Sequence, residues 1–465
     1  MGVFGTLKKY FLPDAFSSRW LLEMFASLVL PCIILIVKPL DLDFCQSCVV
    51  AGILLSVTWW SSGIVKRIPA SIFLLLVFSL VSGVSLHKVF VFPLSESFPM
   101  IAITYLFSQA IANSGLIDIF FQPFLVKHVH TPLQCIFAII LSLAATIYII
   151  PQPLARVIIV ATVFSQFFKN ADVPDNTRST LMFTVFLMYA VVNMSALDAD
   201  IIMNAVAASF AKTRITNAMW VKAMALPTIA VCVLIVLALV ICFKRDLLGI
   251  RLHSGDIKSG APMTVRQKCA VVIIAVTAVL WMTSSLHGIN NTVITIIGTA
   301  LLFPVGALHK EDWAAIDITT LIFLTAAFGI GGVMDSCGAA DKVFGALKVL
   351  FPADYGYRYL FTMIFVCMVL HMMLGSNTTS LSIVVPGLML LCGTVVPEQP
   401  IVYIGILSVS FHAFLPFHSV AMMIGEADGY FPVRYMLKMG MAETLILFFS
   451  APCIFVPYWR LIGLL

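Results

Sequence analysis

HMMLGSNTTSLSIVVPG, residues 371–387, sets six small and mostly polar residues, Gly375 to Ser380, in the middle of an apolar run. That run extends from 358 to 396, and at 1.5 Å per residue an unbroken helix of its 39 residues would reach about 58 Å. This is nearly twice the roughly 30 Å hydrocarbon core of a bilayer. The break chemistry of Gly375-Ser376-Asn377 falls near the midpoint, so the stretch predicts a re-entrant hairpin: two helices that enter and leave on one side, with their ends meeting at the tip. A second over-long run, 132–168, is interrupted in the same way by Pro151-Gln152-Pro153.

Outward from the hairpin, the whole chain reads as membrane. Its 465 residues are 61% hydrophobic and 11% charged, where soluble domains carry about 25% charge. Apolar spans are predicted near 21–39, 45–65, 69–90, 98–125, 132–168, 180–210, 219–243, 269–287, 290–308, 316–334, 358–396, 400–424 and 440–460. Each crossing must satisfy its own backbone hydrogen bonds, so the expected fold is an all-α polytopic membrane protein. The segment from Leu21 reads as an uncleaved first helix. The net charge of +5 encodes topology and implies no nucleic-acid partner. Eleven cysteines are scattered singly through apolar runs, which speaks against a disulfide framework. Cys45 and Cys48 form either a redox or metal pair or two residues of a helix start. Trp59-Trp60 read as an interfacial belt.

With about eleven crossings, two hairpins and a cytoplasmic N-terminus, 17 Lys and Arg fall inside and 9 outside, with Arg156 left within the membrane. Lys212, Arg214 and Lys222 vote against this orientation. The longest polar segment, Phe243 to Lys268, is basic and lands inside. It separates two similar halves. IANSGLIDIFFQPFL leads to a tip at Pro151, and GVMDSCGAADKVFGAL to a tip at Ser376. Gly115 to Pro151 is 36 residues and Gly338 to Ser376 is 38. Beyond each tip comes another interrupted apolar segment, AVVNMSALDADIIMNAV and SVSFHAFLPFHSVAMMIGEADGY. The expected organisation is an extra N-terminal helix (1–43), an inverted repeat (44–243), a basic linker (244–268) and a second inverted repeat (269–465). Inverted repeats with broken helices meeting near the midplane are the architecture of secondary transporters.

A helix ending at Gly375 and another starting near Thr379 leave free carbonyls and free N–H groups at one point. The N–H groups suit an anion and the carbonyls a cation, with Ser376, Asn377 and Thr378 adding neutral side chains for either. The other reading, polar residues as interhelical glue, fits a lone Ser or Thr better than six in succession. Arg156 stands one turn beyond the first tip, where a buried charge is expensive and usually functional. It either clamps a carboxylate with two N–H groups or pairs with Asp198 or Asp200. Those two carboxylates can alternatively form a proton or cation site, and His418 either couples protons or is a hydrogen-bonded histidine of the helix break.

Gly375-Ser376-Asn377-Thr378-Thr379-Ser380, followed by an apolar run and Pro386, resembles the Ser-Asn-Thr signature of the divalent anion/sodium symporter (DASS) family. FLPFHSVAMMIGEADGYFPVRYMLKMG, residues 414–440, is similar to that family's Leu-Pro segment, and DWAAIDITTLIFLTAAFGIGGVMDSCGAADKV, from Asp312, also fits. The resemblance implies an elevator-type carrier of di- or tricarboxylates or sulfate, working as a homodimer with a scaffold and a mobile transport domain. It implies a substrate site between the tips, here Ser376, Asn377, Thr378, Gln152, Arg156 and Ser419. It also implies a sodium site at Ser376, Asn377, His418 and Ser419. The chain departs from the family at Pro151-Gln152-Pro153, where a first Ser-Asn-Thr should stand. Two prolines remove two donors there, and Arg156 would supply the charge that sodium supplies in symporters. The expected function is therefore a C4-dicarboxylate, 2-oxoglutarate or citrate carrier of the plasma membrane, an exchanger or one with reduced sodium dependence. A cation/proton antiporter or a sulfate or arsenite permease of the same architecture is the alternative. No HExxH pair, Gly-x-Ser-Gly serine or paired-carboxylate motif supports an enzyme.

Overall fold

In the computed structural model, residues 18–115, 125–150, 152–254, 263–374, 377–414 and 418–465 are described. Pro151, Gly375, Ser376 and most of LIDIFFQPFL therefore lie outside the described residues. The longer helices, numbered in chain order with single turns left aside, begin with α1 (Ser18–Val37), α2 (Phe44–Ser62), α3 (Arg67–Val81) and α4 (Ser97–Ser114). The first over-long run is α5 (Pro132–Ala145) and α6 (Pro153–Asn170), and the interrupted segment after it is α7 (Asp175–Asn193) and α8 (Met203–Ser209). Then follow α9 (Asn217–Cys242), α10 (Val265–Met282), α11 (Asn291–Leu302), α12 (Ile318–Ser336) and α13 (Ala339–Leu347). The quoted stretch joins α14 (Tyr357–Leu374) to α15 (Asn377–Cys392), and the second interrupted segment is α16 (Glu398–Ser410) and α17 (Val420–Ala427), before α18 (Val433–Ser450). One two-residue antiparallel pairing, Ala171–Asp172 with His253–Ser254, is the exception to an all-helical chain among the described residues.

The first predicted break coincides with helix ends for local reasons, while Gly375-Ser376 of the second lies outside the described residues. α5 opens on a capping box, Thr131 accepting from the Gln134 N–H at 3.3 Å while Gln134 returns a bond to the Thr131 N–H at 3.2 Å. α6 opens with Pro153 at its first position, where a missing N–H costs nothing, and the Gln152 side chain accepts from the Ala155 amide. α5 has 14 residues and α15 has 16. At 1.5 Å per residue these are about 21 and 24 Å long, short of a full crossing, as a hairpin arm should be.

The arms do not stand alone. α5 and α6 both pack on α7, and α14 and α15 both pack on α16, so each broken run is backed by the interrupted helix that follows it. α8 then packs on α15 and α16, and α7 on α17, which joins the two groups into one block. Trp220 on α9 lies inside that joint. Its indole N–H donates to the Met194 carbonyl at 2.9 Å, and its ring meets Tyr403 of α16 edge-on with centroids 5.0 Å apart. Around the block run α2 against α3, α3 against α12, and α4 with α10 and α11. Small residues allow the closest approaches. A Cβ on Gly387 of α15 would stand 2.2 Å from the Phe344 ring of α13.

Trp60 is buried, with its N–H on the Ser71 hydroxyl at 3.2 Å and its ring against Phe323, and Trp59 donates to Ser27 at 3.1 Å. Trp60 thus seals a contact between helices and takes no part in an interfacial belt, because its indole N–H and ring both find partners inside the protein, whereas Trp59 is half-buried. Cys45 and Cys48 fall in the first turns of α2 as free thiols, the helix-start reading.

Candidate functional site

At the first tip, Arg156 is the fourth residue of α6 and has no exposed surface. One terminal nitrogen donates to the carbonyls of Ile147 (3.4 Å) and Ile150 (3.2 Å), on the chain entering the tip. The other donates to the Asn193 Oδ1 at 2.5 Å and to the Ala199 carbonyl, both in the break between α7 and α8. Four oxygens from two chain breaks thus surround a fixed cation. A guanidinium has five N–H donors, and four are engaged with the protein's own acceptors. The carboxylate-clamp geometry expected of Arg156 is absent, because its donors turn inward to carbonyls.

The break itself is held by side chains that answer its orphan backbone groups. Asn204 donates to the carbonyls of Asn193 and Ala196, each at 2.9 Å. Asp200, 3% exposed, accepts from the amides of Ile202 (3.0 Å) and Met203 (2.8 Å) on one oxygen, and its other oxygen meets the Asn193 amide group at 3.4 Å. Arg156 and Asp200 are therefore joined through Asn193 and not by direct pairing. Asp198, two residues earlier, faces a different space, a cleft of about 920 Å³ that also exposes Glu96, Lys212 and Arg214.

The second tip repeats the spacing with other chemistry. The fourth residue of α15 is Ser380, whose hydroxyl meets His371 Nδ1 at 2.7 Å, nine residues earlier, the separation that links Arg156 to Ile147. His371 lies in a group of three imidazoles. Its ring centroid is 5.2 Å from that of His418 and 6.2 Å from that of His412. His418 accepts from the Phe414 amide at 3.2 Å, and His412 approaches Thr444 at 3.4 Å. Among the described residues no group of three His, Cys, Asp or Glu side chains is arranged to hold a metal ion.

Between the tips lies a cavity of about 80 Å³. Its described walls are the starts of α6 (Pro153, Leu154) and α15 (Asn377, Thr378), the two breaks (Asn193, Asp200, Ser410, Ser419), the start of α17 (Val420, Ala421), and Tyr189, Met203 and Asn204. Of the residues expected at the site, Asn377, Thr378 and Ser419 are brought together here. Gln152, Arg156 and His418 are buried and stand outside the described wall, while Ser376 lies outside the described residues. Asn377 points its Nδ2 toward Met203 Sδ at 3.8 Å, and its Oδ1 is buried with no partner among the described residues. Ser419 precedes α17 and makes no side-chain bond to that helix's first amides. Neutral oxygens and helix starts of this kind suit both a small cation and an anion.

The Sodium:sulfate symporter transmembrane region family matches residues 17–465 of the chain. The chain belongs to the divalent anion/sodium symporter family. This protein is accordingly a multi-pass membrane transporter and not an enzyme. No curated protein matches it. Among solved structures, the YdaH transporter of Alcanivorax borkumensis, described as having an unusual topology, is similar over 78% of this chain and 85% of its own. At 14% identity and a TM-score of 0.53, that likeness concerns the fold alone.

Within this symporter-family chain, several site residues were not singled out in the sequence. Tyr189, Asn193 and Asn204 sit in or beside AVVNMSALDADIIMNAV, where an Asn amid apolar residues was the available signal. His371 opens the quoted stretch, yet its link to Ser380 exists only once the hairpin closes.

Proposed function

We propose that this protein is a secondary carrier of small di- or tricarboxylate anions, of the C4-dicarboxylate, 2-oxoglutarate or citrate class. It works as an exchanger or with reduced sodium dependence. The observation that carries the reading is the contrast between the halves. In the first, four oxygens that would suit a small cation are occupied by the Arg156 guanidinium. In the second, Asn377, Thr378 and Ser419 face the cavity with the Asn377 Oδ1 unengaged among the described residues. A coupling sodium, where one is carried, would use the second half, and the first half's charge is permanent.

The remaining parts of the proposal are supported by the resemblance to the family and by the distribution of Lys and Arg along the chain. The carrier is a homodimer of the plasma membrane with its N-terminus cytoplasmic, organised as two inverted repeats around the block of α5–α8 and α14–α17. That block is the part that moves, in an elevator-like shift. The test is counterflow in liposomes with a panel of di- and tricarboxylates and sulfate, with and without sodium. Exchange of at least one carboxylate without sodium is the expected result. Exchange of sulfate alone would replace the carboxylate reading, and exchange of none would overturn it.

A further inference from the structure

Asp200 is the one charged side chain among the described residues that wall the cavity, and it is negative. An anion carrier would be expected to keep such a group away from its ligand, since like charges a few ångströms apart in a low-dielectric site repel strongly. Nothing about the local fold demands a carboxylate. A serine or asparagine would cap the amides of Ile202 and Met203 as well. The protein nonetheless fixes this side chain from behind. One oxygen holds two amides and the other meets Asn193, which in turn accepts from Arg156. In all three contacts Asp200 is the acceptor, and the residue lines the cavity.

The opposite wall differs in kind. Thr378 and Ser419 bring hydroxyls, and α15 and α17 begin there, with Val420 and Ala421 on the wall and no side-chain cap from Ser419. The second half thus brings neutral groups and helix starts to the cavity, while the first half brings its one charged side chain, an acceptor. The other groups near Asp200 are Arg156, whose donors point to carbonyls, and the Tyr189 ring, which lies on the wall.

We infer that Asp200 is a specificity-determining residue: the acid is bound as a monoanion, its carboxylate against the second-half wall and a hydrogen-bond donor against Asp200. The donor is a hydroxyl, an amide N–H or the proton of a second, protonated carboxyl group. This inference rests on the carboxylate-carrier reading and narrows it, because a fully ionised dicarboxylate would set its second carboxylate against Asp200.

The test compares succinate with succinamate, which keeps one carboxylate and replaces the other by a donor amide of similar shape. Their affinities for the purified full-length protein are measured by isothermal titration at alkaline pH, where succinate is doubly ionised. The wild type is expected to prefer succinamate by about tenfold or more, the effect of removing one like-charge contact. Asp200→Asn and Asp200→Ser, which keep an acceptor for the two amides, are expected to shift the ratio about tenfold toward succinate. Asp200→Glu is expected to keep the wild-type preference. Melting curves show which variants are folded, and the ratio of two ligands on one folded protein is insensitive to a general loss of stability. A wild type that prefers succinate, or a ratio unchanged in a folded Asp200→Ser protein, would overturn the inference while leaving the carrier reading intact. Binding of neither acid, together with no counterflow of any carboxylate, would remove the carrier reading itself and the inference with it.

Discussion

Replacing Arg156 by alanine empties the space that four oxygens now share with a guanidinium. The carbonyls of Ile147, Ile150 and Ala199 and the Asn193 Oδ1 all lose a charged donor in a fully buried place. Hydrogen bonds to charged groups contribute about 1.5–3 kcal/mol each, but four around one centre are not additive. The loss expected from removing one partner of a buried charged cluster is about 3–5 kcal/mol. The vacated cage then offers neutral oxygens at a spacing set by the two breaks, which is chemistry a sodium ion can use. If it binds, sodium at a hundred times its Kd would restore about 2.7 kcal/mol, between about half and nine-tenths of the loss. Thermal unfolding in detergent, followed by tryptophan fluorescence at matched ionic strength, separates the cases. Arg156→Ala should melt well below wild type in choline chloride and recover partly in sodium chloride, with a larger sodium increment than wild type shows. An unchanged melting temperature would mean the four contacts carry little. Equal recovery in choline and sodium would mean that the space Arg156 fills is not a cation position.

Other substitutions read out single contacts. Asn377→Ala removes the Oδ1 that has no partner among the described residues and should lower uptake at least about tenfold, equivalent to about 1.4 kcal/mol, with melting little changed; normal uptake with an unaltered sodium response would take Asn377 out of the site. Ser380→Ala strips His371 of its 2.7 Å partner between the arms, an expected loss of about 1–3 kcal/mol in a melting series. Gly387→Val drives a side chain into the Phe344 ring and should cost at least about 1–3 kcal/mol, whereas wild-type stability would show that α13 can give way.

The first broken helix was legible in the sequence because length and break chemistry agree: the over-long run with Gln152-Pro153 near its middle resolves into arms of 14 and 18 residues. That Asn377, Thr378 and Ser419 would share one space was legible too, since they are small polar residues near the expected breaks and do line one cavity. What Arg156 touches was not. Three of its four partners are backbone carbonyls, and a carbonyl has no residue identity to read. Nor did SALDAD reveal that Asp198 and Asp200 face separate spaces, because the turn at Leu197–Ala199 directs them apart. Trp59-Trp60 suited an interface by composition, and only the partners Ser71 and Phe323, on neighbouring helices, place Trp60 inside.

Trp220 gives the molecule an optical gauge of its own working part. Its indole is fully shielded, donates to the Met194 carbonyl inside the first break, and lies edge-on to Tyr403 of the second interrupted helix. A change in register between the two discontinuities must alter that carbonyl's distance, the ring geometry or the dryness of the pocket. Each of these alters the colour or yield of indole emission. Once the other six tryptophans are replaced, the joint that keeps the two interrupted helices together is thus also the place where their relative movement can be watched without an added label.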